Sequence, residues 1–76
     1  MRLELNNSGA WKVVIHEVRA QHLVSLRMAC LVLCRSSDGI QLSWRLVDDA
    51  DTTVHPQGRV IEHTAGHAGH AGWVVP

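Results

Sequence analysis

The chain has 76 residues, 46% of them apolar, with seven basic side chains against seven acidic ones and three Trp but no Phe or Tyr. That length allows one small domain, 1–76, near the lower limit of independent stability, and the apolar fraction excludes a disordered chain. The neutral balance argues against a nucleic-acid binder, whose affinity rests on neutralising phosphates.

The opening stretch, MRLELNNSG, lacks the apolar segment of a secretory leader. No apolar run approaches the ~18 residues of a membrane span, so a cytoplasmic protein is expected. Asn6-Asn7-Ser8-Gly9 then reads as a hairpin loop of three residues that ends on a glycine at positive φ. That loop sets Leu5 against Trp11, Leu3 against Val13 and Met1 against Ile15, and every pair is apolar. Trp11 is therefore expected in the core.

Residues 18–34 fit two templates. As a strand, Val24, Leu26, Met28, Cys30 and Val32 share one face, with Ser25 and Arg27 between them. As a helix, the residue types are favourable, and Leu23, Leu26, Cys30 and Leu33 make a stripe. However, Val24, Met28, Leu31 and Val32 fall off that stripe, which favours the strand. Ser36-Ser37-Asp38-Gly39 repeats the first turn signal and would pair Cys34 with Leu42, Val32 with Trp44 and Cys30 with Leu46. The opposite face of this second hairpin would carry Arg27, Leu31, Leu33, Arg35 and Arg45, an apolar patch bearing arginines. These five residues are the candidate partner-binding site. In a strand, Cys30 and Cys34 lie ~13 Å apart, beyond disulfide reach, so both read as buried free thiols.

Further on, Asp48, Asp49 and Asp51 form an acidic turn without the glycine and distal glutamate of a calcium loop. Residues 59–63 and 72–75 read as two more strands. Between them, 63–72 reads as a flexible Gly/His-rich segment. His63, His67 and His70 would share one helical face, but Gly66 and Gly69 oppose a helix. Trp73 is expected to pin the end of the chain onto the sheet.

The expected fold is all-β: a small antiparallel meander of five or six strands closed as a barrel or a sandwich. The alternative is α+β with a helix at about 18–34. No nucleophile motif, phosphate loop, paired-cysteine zinc motif or dinucleotide fingerprint is present. The expected function is a small non-enzymatic protein-interaction module that self-associates or binds a protein partner. It would act as an accessory subunit or an inhibitor, a size class common in phages and mobile elements. One alternative is a transition-metal binder taking Zn or Ni at His63, His67 and His70. The other is a small barrel that binds single-stranded nucleic acid through its arginines, which the lack of Phe and Tyr weakens.

Overall fold

A computed structural model describes residues 1–7, 9–36, 42–50, 56–66 and 71–76. Strand β1 (Arg2–Asn6) turns into β2 (Trp11–Ile15). A single turn of 3-10 helix, Ala20–His22, leads into helix α1 (Leu23–Ser36). Strands β3 (Ser43–Asp48), β4 (Arg59–Ala65) and β5 (Gly72–Val74) follow. The five strands form one open sheet in the order β2-β1-β3-β4-β5, and every neighbouring pair is antiparallel. β2 and β3 therefore run in the same direction on either side of β1. The link between them must cross the sheet, and α1 lies in that link.

The closed all-β meander is overturned. The stretch expected as a long central strand is the helical run from Ala20 to Ser36, and β2 and β5 are free edges, so the fold is α+β with an open sheet. The physical reason lies in the inner stripe. Cys30 and Cys34 are buried, and Leu23, Leu26 and Leu31 pack against the same core. Spacings of three, four and seven give a helix its inward face. No Gly or Pro interrupts the run, and Val24 and Val32 are its only β-branched residues. Arg19, extended at φ −89° and ψ 143°, precedes the helix without a side-chain cap. The entry is held instead by the Val18 N–H, which donates to the Met1 carbonyl at 2.7 Å.

The second hairpin does not form. β3 pairs with β1, across the whole of β2 and α1 in the chain, with Leu3 opposite Leu46 and Leu5 opposite Trp44. The first hairpin forms, but its register is one residue off expectation. Asn6 pairs with Trp11, so the loop has four residues, and a bulge shifts the ladder beyond Glu4. Gly9 does take positive φ, +92°, and its N–H donates to the Asn6 side chain at 2.9 Å. A one-residue slip moves side chains to the other face. Trp11 and Val13 consequently share the face of Glu4 and Arg45, opposite the helix.

The core lies between α1 and one face of the sheet. Leu3, Trp44 and Leu46 meet Val18, Cys30, Cys34 and Ala71, with Ile15, Ile61 and Trp73 packed around them. Trp73 pins β5 as expected, since its Nε1 donates to the Arg27 carbonyl at 3.0 Å. The shortest principal extent of the molecule is 20 Å, the thickness of one sheet and one helix layer. Both layers therefore turn their second face outward.

Candidate functional site

The expected binding face was drawn for a strand, and the helix takes it apart. Arg27, Leu31, Leu33 and Arg35 lie on α1, whereas Arg45 points from β3 to the far side of the sheet. Arg27 is paired with Glu62 on β4, its Nε donating to Glu62 Oε2 at 3.1 Å. Arg35 donates to the Ala71 carbonyl at 3.1 Å. Leu31 is half-buried against the core, and Leu33 is exposed.

What α1 presents outward was missed by sequence reasoning. Val24 is 73% exposed, Met28 57% and Val32 55%. Their spacing of four places them one above another on a single helical face. Ser25 and Ala29, both exposed and small, flank that stripe. Between Ala20 and Ser36 the only charged side chains are Arg27 and Arg35, and both are engaged with the sheet. A solvent-facing helical stripe without a charge is unusual, because exposed helix positions ordinarily carry Lys, Glu or Arg. The signal was in the sequence as the apolar residues that fell off the inner stripe.

The outer face of the sheet is built differently. Glu4, 5% exposed, sits between two arginines. Arg2 Nε donates to its Oε2 at 2.8 Å, and Arg45 Nε donates to its Oε1. Burial alone pushes the Glu4 carboxyl up, but hydrogen bonds and charge from Arg2 and Arg45 outweigh it and hold the group below its ordinary value. Arg45 also lies over the Trp11 ring, 4.1 Å from its centroid, in a cation–π contact. At the other end of the row, Arg2 reaches the Gln57 carbonyl and lies 3.7 Å from Asp49. Gly58, at φ +84°, packs its backbone onto Val47 so closely that a Cβ there would come within 2.6 Å of the Val47 side chain. Val47 is thereby buried although it faces away from the helix.

The remaining candidates are inert or dispersed. Burial, with the neighbouring thiol of Cys34, pushes the Cys30 thiol up to about 11. Burial also raises the Cys34 thiol, whose Sγ lies 3.6 Å from the Leu42 carbonyl. Neither is a thiolate at neutral pH, so neither is an activated nucleophile. His63 sits in β4 with Nδ1 3.2 Å from the Thr64 carbonyl oxygen, and His67 and His70 lie outside the described residues. Of the segment expected at 63–72, residues 63–65 continue β4 and Gly72 begins β5. Asp48 accepts from the Ala50 N–H at 3.0 Å, and Asp51 lies outside the described residues. Among the described residues no three His, Cys, Asp or Glu side chains gather in a metal-binding group. No described helix is long and apolar enough to cross a membrane.

No known protein family, curated protein or solved structure matches this chain.

Proposed function

We propose that this chain is a small non-enzymatic protein-interaction module, acting in the cytoplasm as an accessory subunit or an inhibitor, with the outer face of α1 as its working surface. The observation that carries this reading is the uncharged apolar stripe Val24, Met28 and Val32 on the outer face of α1. Exposed apolar surface of this kind marks association sites. Among the described residues, Glu4 and Glu62 are held in arginine pairs and both thiols are buried and protonated, which is compatible with that reading. Arg27 and Arg35 on α1 and Arg45 on the far face of the sheet do not form one basic surface, which weighs against binding of single-stranded nucleic acid.

The test is affinity capture from the native host with wild type and Met28→Glu side by side, read by mass spectrometry. A protein retained by wild type and lost with the variant is the expected result. Identical captures from the two would overturn the reading.

A further inference from the structure

We propose that the occupant of the α1 face is a second copy of this chain, docked helix to helix and antiparallel about a twofold axis that passes near Met28. The inference rests on the reading of α1 as the working surface and names what sits there.

The stripe is its own complement. Val24, Met28 and Val32 are spaced evenly about Met28, with a side chain of equal size at each end. Reversing the helix direction superimposes the pattern on itself, so Val24 of one copy meets Val32 of the other and Met28 meets Met28. That is the self-matching which a twofold interface requires. Ser25 and Ala29 on the flank leave room for the two backbones to approach at the stripe's first half, Leu33 extends the apolar flank at the other end, and Met adapts its shape at the centre.

Charge points the same way. The stripe has no charged group to offer a charged protein or a nucleic acid, and none to repel its own copy. Arg27, next to Met28 in the chain, is turned to Glu62, and Arg35, seven residues beyond Met28, donates to the Ala71 carbonyl. In the antiparallel arrangement Arg35 faces Gln21 of the second copy, seven residues before Met28, whereas a parallel arrangement would bring Arg35 against Arg35.

The outer face of the sheet is more engaged with itself than the helix face. Arg2, Glu4, Arg45 and Trp11 contact one another across it, although Trp11 and Val13 keep part of their surface in water. Lys12 and a bulge blunt the β2 edge, and β5 has only three residues. Three exposed apolar side chains from each copy make a small contact, so the association is expected to be weak and concentration-dependent.

Sedimentation equilibrium of the purified chain from about 10 to 500 µM, where weak interfaces associate, tests this directly. Wild type should shift from monomer to dimer mass across that range, and Met28→Glu should weaken association at least tenfold while keeping the far-UV CD spectrum. Cysteine cross-linking tests the geometry without relying on that variant. Met28→Cys should oxidise to a covalent dimer on its own, and Val24→Cys should cross-link with Val32→Cys but not with itself. Wild type that stays monomeric throughout overturns the proposal. So does a dimer that persists in Met28→Glu with its helix intact, or one in which the Val24→Cys and Val32→Cys pair does not cross-link. A monomeric wild type that still captures a Met28-dependent protein removes the second copy while leaving α1 as the working surface. A dimer whose host captures are the same with and without Met28→Glu separates the two claims in the other direction.

Discussion

The two outer faces of this domain solve the same problem in opposite ways. Each belongs to a layer that has buried its other side, and each carries large apolar groups. On the sheet, the protein covers them in part with its own groups: Arg45 lies across Trp11, Arg2 and Arg45 clasp Glu4, and Gly58 presses on Val47, while Trp11 and Val13 stay partly in water. On the helix, Val24, Met28 and Val32 are left to water. The difference teaches that the closed face should hold the fold together, while the open face should matter little to it and much to association.

Substitutions on the two faces should diverge accordingly. The largest effect is expected from Gly58→Ala. It combines a strained positive φ with a clash against Val47, and should cost about 2–3 kcal/mol in urea unfolding followed by tryptophan fluorescence. Glu4→Ala comes next, at about 2 kcal/mol. It removes the acceptor for two arginines that are partly solvent-exposed and recover some hydration. The same carboxylate sets an acid limit. Its folded pKa is depressed, so its contribution is present above the ordinary value of 4.5 and is lost as pH falls below that value toward the folded pKa. Urea titrations between pH 6 and about pH 3 should show this decline, and Glu4→Gln should flatten it. Arg45→Lys keeps the charge but loses the planar stack on Trp11, for about 1 kcal/mol. Smallest is Met28→Glu, expected within about 0.5 kcal/mol of wild type in the monomer. A Met28→Glu monomer destabilised as much as Glu4→Ala would erase the contrast between the faces.

Much of the sheet was legible in the sequence. The alternation in Arg2–Asn6, the strand around Trp44, the two later strands, the glycine at positive φ and the pinning by Trp73 were all read from local pattern and turn chemistry. Three things were not. The register of the first hairpin turned on one loop residue, and that single residue decided whether Trp11 was core or surface. The pairing of β3 with β1 skips the whole helix, so reading neighbours in sequence as neighbours in space gave the wrong hairpin. The helix itself was obscured by Val24, Met28 and Val32, because periodicity identifies a helix only when its outer side is polar. The residues that hid the helix are the same ones that make its outer face the candidate site. The five residues first singled out for binding were a consequence of the strand reading, and the helix and β3 now divide them between opposite sides of the sheet.

The strand order has one further consequence, for how the domain comes apart under force. β1 is hydrogen-bonded on both sides, to β2 and to β3, while β5 is an edge strand with a single ladder, to β4, and a side-chain tie from Trp73 to α1. An unfolding machine that pulls from the β5 end meets one ladder at a time and can peel β5, β4 and β3 in succession. Pulling from the β1 end must break two ladders together and extract a strand from the middle of the sheet. The domain is therefore mechanically polar, resistant when pulled from one end and unzippable from the other.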